Sequence, residues 1–199
     1  MKCIVLDAMG VIYKVKDDVK DLLYPFIVEN GGLDDFARLK ETYIEASLGK
    51  LSAEQLWRSF WIDSLLEEEY LARHRLSEGV VEFLEEAKFH GFELWCLSND
   101  LSEWSLKLRR MHGLEAYFNE FIISGDVGLR KPNAGIYRLL LTRAKRTASE
   151  IIFVDDNILN LDAAKDLGLI TTLFDPSYPG GVGGHSVVKS FAELKKAVF

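Results

Sequence analysis

Cysteine, proline and long apolar runs are all scarce in this chain. Its two cysteines, Cys3 and Cys96, fall inside short apolar runs that read as central strands. Two buried thiols fit a reducing compartment better than a disulfide framework, so a cytoplasmic setting is expected. No apolar stretch approaches the roughly 18 residues that a membrane-spanning helix needs. The run after Lys2 is broken at Asp7, too short for the apolar region of a signal peptide. Positive charge is also in deficit, with 24 Lys and Arg against 31 Asp and Glu and a net charge of −7. That balance suits neither a nucleic-acid backbone nor an anionic membrane surface, and neither is expected as a partner. The four histidines, His74, His90, His112 and His185, show no metal-ligand spacing and read as surface residues. Internal repeats and low-complexity tracts are missing.

What is present is the composition of a globular protein. The 199 residues are 48% hydrophobic and 28% charged, enough for one well-buried domain plus a modest insertion. Cys3-Ile4-Val5-Leu6 is a short apolar run rich in β-branched residues. Such a run reads as a strand buried on both faces, the mark of a parallel α/β sheet. Further strands are expected over Phe92 to Leu97, Phe121 to Ser124, Ile151 to Val154 and Ile170 to Phe174. Helical patterns alternate with them. One opens at Ser77 and stops at Gly91; others run from about Leu101 to His112, from Pro132-Asn133 through Ala144, through Leu161 to Gly168, and near Ser190 to Val198. The glycine-rich stretch Pro179 to Gly184 reads as a loop.

Residues 14–75 change character. Leu22, Leu23, Phe26 and Ile27, then Phe36, Leu39, Tyr43 and Ile44, follow the spacing of amphipathic helices. Asp34 is placed to cap the second helix and Ser52 the third, with Gln55 completing a capping box. No strand pattern occurs here, so 14–75 is expected to be an all-helical insertion between two parts of a core, 1–13 and 76–199. Trp57, Phe60 and Trp61 read as its interior rather than as a substrate wall. The run Glu67-Glu68-Glu69 reads as a solvated helix face.

Alternating strands and helices imply right-handed parallel βαβ units, whose ligands sit beyond the carboxyl ends of the strands. Asp7, Ser98, Asp155 and Asp156 all fall at such ends. Carboxylates gathered in one crevice repel unless a cation sits among them, and hard oxygen ligands suit Mg²⁺. Lys131, just before a helix, adds a fixed positive charge, and Ser98 a hydroxyl. Together these groups could clamp a phosphoryl group. A carboxylate such as Asp7 could attack it and form an aspartyl-phosphate.

Four segments carry a resemblance. Ile4 to Val11, with Asp7-Ala8-Met9-Gly10, is similar to motif I of the haloacid dehalogenase superfamily. Leu97-Ser98-Asn99 resembles motif II and Gly128 to Pro132 motif III. Ile151 to Asp156, continued by Asn157, Asn160, Ala163, Ala164 and Gly168, resembles motif IV and its helix. The resemblance implies a Rossmann-like parallel-sheet core with 14–75 as a helical cap that closes over the site. It implies Asp7 as nucleophile and metal ligand, the Met9 carbonyl and Asp156 as further ligands to Mg²⁺, and Asp155 acting through water or sharing that role. It gives Ser98, Asn99 and Lys131 to the phosphoryl oxygens and Lys131 to the developing charge. The substrate would be a small phosphorylated metabolite.

One position departs from the pattern. Family phosphatases carry a second Asp two residues after the nucleophile, where this chain has Met9. A thioether cannot exchange a proton, and general acid–base catalysis is worth about 10²–10⁴-fold. Weak or narrow hydrolysis is therefore expected. Two alternatives stand beside it: a metal-free dehalogenase-like hydrolase, since family dehalogenases also lack that Asp, and a catalytically silent binding protein.

Overall fold

The protein is described by a computed structural model covering residues 3–178 and 184–199. Six strands, β1 (Cys3–Leu6), β2 (Glu93–Ser98), β3 (Glu120–Ile123), β4 (Ile151–Asp155), β5 (Ile170–Phe174) and β6 (Ser186–Val188), form one sheet in the order β3-β2-β1-β4-β5-β6. Every neighbouring pair is parallel. All four residues of β1 are buried, as expected for a strand covered on both faces. Cys3 and Val5 face Ile136, Tyr137 and Leu140 on one side. Ile4 and Leu6 face the other, with Phe83, Leu84, Trp104 and Phe191.

The helical segment opens with a π-helical turn (Val19–Leu23), followed by α1 (Tyr24–Glu29), α2 (Phe36–Ala46), α3 (Ala53–Ser59), a 3₁₀ turn (Ser64–Leu66) and α4 (Glu67–Leu71). Around the sheet come α5 (Val80–Phe89), α6 (Ser102–Met111), α7 (Ser124–Val127), α8 (Ala134–Ala144), α9 (Ile158–Lys165) and α10 (Phe191–Val198). The chain passes into and out of the helical segment side by side. Lys14 N donates to Arg75 O at 2.9 Å, and Ser77 N donates to Ile12 O at 2.9 Å. The segment's apolar residues, Phe26, Trp57 and Tyr70 among them, join the same hydrophobic cluster as Leu101 and Trp104 of the core side.

Several local expectations are corrected. Asp35, not Asp34, caps α2, its carboxylate accepting from Arg38 N; Asp34 instead accepts from the Tyr24 hydroxyl. Gly79 in a left-handed conformation, not Ser77, precedes α5. β6 was not expected, because three residues carry too little pattern to read. His74 is buried, not at the surface, stacked edge-on against Tyr70 and Tyr13; burial pushes its imidazole down to about 4. Glu67 is buried too, accepting from both the Trp57 and Trp104 indoles at 2.8 Å and from Lys107. Trp57 and Phe60 are interior residues, whereas Trp61 is exposed. The Ser52–Gln55 capping box is present. Cys3 and Cys96 are free thiols. The loop read over Pro179 to Gly184 lies, except for Gly184, outside the described residues, as does Lys2. Among the described residues no helix is long and apolar enough to cross a membrane.

Candidate active site

β1 lies between β2 and β4, so the order of strands in the chain reverses on either side of it. A crevice opens at the carboxyl ends at such a point. Asp7 leaves β1 there, its N–H donating to Val154 O at 2.9 Å. Ser98 ends β2 and Asp155 ends β4. Parallel register therefore brings together three of the four strand-end groups singled out in the sequence.

Lys131 joins two of them. Its Nζ lies 2.7 Å from Asp7 Oδ1 and 2.7 Å from Asp155 Oδ2, with the side chain only 1% exposed. Asn99 holds that lysine in place. The Lys131 N–H donates to Asn99 Oδ1 at 2.8 Å, and Asn99 Nδ2 donates to Lys131 O at 3.0 Å. The Asn99 side chain thus grips the Lys131 backbone, a partner that its sequence position does not suggest. Asp155 is fully buried and accepts further from Asn160 Nδ2 at 3.1 Å and Asn157 N at 2.8 Å. Asp156 faces the cavity, 3.9 Å from Lys16 Nζ. Gly10 makes room for it: a Cβ at that residue, where φ is +76°, would sit 2.3 Å from Asp156 Oδ2.

Carboxylate oxygens of Asp7, Asp155 and Asp156 all lie within 4.8 Å of one another. Burial first, then the charge of Asp155, pushes Asp7 well above the usual carboxylate range, with Lys131 pulling the other way. Burial and Asp155 push Asp156 up to about 6. For Lys131, burial alone would favour the neutral amine, but Asp155 and Asp7 outweigh it and hold the ammonium. Three carboxylates against one buried lysine leave the cluster short of positive charge. That deficit, and an all-oxygen donor set, fit a hard divalent cation.

A cavity of about 630 Å³ lies over the cluster. Asp7, Met9, Ser98 and Asp156 form its floor, and Asp18, Phe36 and Tyr43 of the helical segment contribute to its walls. Met9 is buried and packs within the large hydrophobic cluster. Asp18 and Tyr43 were not anticipated as site residues. Tyr43 Oη lies 3.5 Å from Asp18 Oδ2 and 3.4 Å from Asn99 O, bridging helical segment and core. Burial, then Asp17, pushes Asp18 up to about 7. Nothing local marks these residues in the sequence; Tyr43 simply occupies an inward position of α2.

Residues 1–168 match the haloacid dehalogenase-like hydrolase family, and the chain belongs to it. The ribulose-1,5-bisphosphate 5-phosphatase of Halopiger xanaduensis is 34% identical over 110 residues, covering 54% of this chain and 46% of that one. Among solved structures, a HAD phosphatase from Thermococcus onnurineus superposes with a TM-score of 0.79 at 19% identity, covering 100% of this chain and 98% of that one. The putative HAD-hydrolase YfnB from Bacillus subtilis, bound to magnesium, gives 0.72 at 18% identity, covering 99% and 98%. These structural likenesses extend the fold over the whole chain. The chain spans less than half the length of the curated relatives it matches.

Proposed function

We propose that the chain is a Mg²⁺-dependent phosphatase of small phosphorylated metabolites, working through an aspartyl-phosphate at Asp7. The observation that carries this reading is the carboxylate cluster pinned by a buried lysine at the floor of a cavity. Asp7, Asp156 and the Met9 carbonyl would hold the cation, with Asp155 oriented behind them by Lys131 and Asn160. When bound, Mg²⁺ supplies positive charge that neutralises carboxylate and phosphoryl oxygens alike.

The chain's own groups do the rest. Asp7 attacks phosphorus in line with the departing oxygen. Lys131 holds its charge beside the attacked group, and the buried Ser98 hydroxyl offers a donor to a phosphoryl oxygen. Asn99 acts by fixing the Lys131 backbone. Residues 14–75 act as a cap over the cavity, excluding bulk water while the ester is bound. Met9 can neither donate nor accept a proton, so turnover is limited by how well the leaving oxygen departs unprotonated.

The metal-free dehalogenase reading has Met9 in its favour. Against it stands the acidic pair Asp155–Asp156, which adds negative charge where a metal-free site has no use for it. A silent binding protein would keep the cavity and lose only turnover. The two buried free thiols suit a cytoplasmic protein. Two measurements test the reading: calorimetric titration of Mg²⁺ into the protein and into Asp156→Ala, and turnover of p-nitrophenyl phosphate by the protein and by Asp7→Asn. Equal Mg²⁺ binding by the first pair would sink the metal site, and equal turnover by the second would sink Asp7 as nucleophile.

A further inference from the structure

Apolar side chains with no protein partner to justify their exposure often mark a binding surface. Ile44, Ile158 and Leu159 are 38%, 44% and 67% exposed, and all three line the cavity over Asp7. They come from opposite sides, Ile44 from α2 of the cap and Ile158 and Leu159 from the first turn of α9, directly after the Asp155–Asp156 pair. Phe36 and Val19 line the same cavity from the cap. A single exposed Leu needs no explanation. Three exposed apolar residues facing a carboxylate cluster, with the half-buried Phe36 and the buried Val19 completing a collar, do.

Several polar groups nearby already have protein partners. The Asn157 side chain accepts from Leu159 N, and Asn160 is spent on Asp155. Asp17 accepts from Lys20 N, Lys16 pairs with Asp175, and Arg130 reaches Ser47. A sugar or polyol would need convergent donors and acceptors for its hydroxyls, and these groups already have protein partners. Lys40, exposed on α2 at the cavity, is suited to drawing in a dianion.

Met9 adds an independent constraint. With a thioether where the family places its acid, the departing oxygen must leave as an anion. A phenol-type oxygen, with a pKa of about 10, does so far more readily than an alcohol near the roughly 16 of water. Resting on the phosphatase reading above, we infer that the substrates are phosphate monoesters of apolar phenols, the ring held in the collar of Val19, Phe36, Ile44, Ile158 and Leu159. An Asp7 oxygen bonds to phosphorus, and the bond from phosphorus to the ring oxygen breaks, its electron pair leaving on the phenoxide. Water then attacks the same phosphorus, the bond to Asp7 breaks, and the carboxylate returns. The proton that water sheds reaches the phenoxide through solvent, giving a phenol and inorganic phosphate.

The test is kcat/KM of the full chain with Mg²⁺ on 1-naphthyl, phenyl and benzyl phosphate and on glucose 6-phosphate. Benzyl phosphate carries the same ring on an alkyl oxygen. Phenyl should exceed benzyl by about 10²-fold or more, the share a missing acid leaves unsupplied. Naphthyl should exceed phenyl by roughly 10-fold, in line with added apolar contact in a pocket, and the sugar ester should trail all three. Leu159→Ser and Ile44→Ser, both at exposed sites, should narrow the naphthyl-to-phenyl ratio several-fold. Benzyl or sugar phosphate turned over as well as phenyl phosphate, or a ratio unmoved by both variants, would overturn the inference. Acetyl phosphate separates this failure from a deeper one, because it needs neither an apolar collar nor a protonated leaving oxygen. If it is hydrolysed in an Asp7-dependent way while the aryl preference is missing, only the substrate class falls. If neither it nor any ester is hydrolysed, the phosphatase reading falls and the substrate class with it.

Discussion

Replacing Lys131 by methionine should cost the fold about 3–5 kcal/mol, the usual penalty for removing one member of a buried ion pair. Lys131 Nζ sits 2.7 Å from each of two carboxylate oxygens, in a side chain almost wholly shielded from water. At an effective dielectric near 20, each such contact is worth roughly 6 kcal/mol of gross attraction. Desolvation of the ammonium takes back several kcal/mol. What makes the loss severe is what stays behind: Asp7, Asp155 and Asp156 with no buried neutralising charge and only the half-exposed Lys16 near Asp156. Methionine keeps most of the stem's packing, so the loss reports charge rather than volume. The penalty should also depend on pH. Burial and neighbouring carboxylates already raise Asp7 in the folded state, and removing Lys131 raises it further. A carboxyl whose folded pKa is raised is stabilised when protonated, and that stability is lost as pH rises through the folded value. The deficit of Lys131→Met should therefore be larger at pH 8 than at pH 5. Millimolar Mg²⁺ should recover part of it by supplying the missing charge. Urea unfolding followed by tryptophan fluorescence, at both pH values with and without Mg²⁺, measures all three effects. A loss below about 1 kcal/mol, independent of pH, would refute the view that Lys131 neutralises this cluster. In the double variant Lys131→Met, Asp155→Asn, the losses should fall short of additivity, by roughly 0.5–3 kcal/mol as for directly coupled residues.

Met9→Asp should raise turnover most for alkyl phosphates, within a ceiling of about 10²–10⁴-fold, and little for aryl ones; a gain that survives Asp7→Asn would show that it arises elsewhere. Gly10→Ala combines a left-handed backbone with a Cβ directed at Asp156, so Mg²⁺ affinity should drop about 10–100-fold by calorimetry, as when groups behind a metal ligand are disturbed. Glu67→Gln weakens what two indole N–H groups and Lys107 donate to and should cost about 1–3 kcal/mol in urea unfolding at neutral pH. Burial would raise the Glu67 carboxyl, but Lys107 and the two indoles outweigh it and hold it below the usual range. Its stabilisation is therefore complete above the ordinary glutamate value and fades as pH falls through the lowered one, so the deficit should shrink in acid. Because Glu67 ties α4 to α6, the same variant should speed hydrogen exchange where cap meets core; unchanged exchange would mean that the tie does not govern cap opening.

Much of the architecture was legible in the sequence because its cause is local. An apolar run such as Cys3–Leu6 can be satisfied only by burial on both faces, and a polar residue that ends it has to lie at the mouth of the sheet. The positions of Asp7, Ser98 and Asp155 follow from that rule, as does the all-helical segment from its 3.6-residue pattern. The partners of those residues were not legible. Lys131 reads as a fixed positive charge for the site, but only packing sets its ammonium between two carboxylates. Glu67 sits in a run of three glutamates that looks solvated, yet it receives an indole N–H from a residue 37 positions away. His74 looks like a surface residue and is buried, and Asp18 and Tyr43 join the cavity only through the packing of the helical segment beside the strand ends. Periodicity and turn chemistry report which way a side chain must face. What it meets there depends on chain segments brought close only by packing, and for Asp7 and Lys131 burial and such distant partners together set the ionisation.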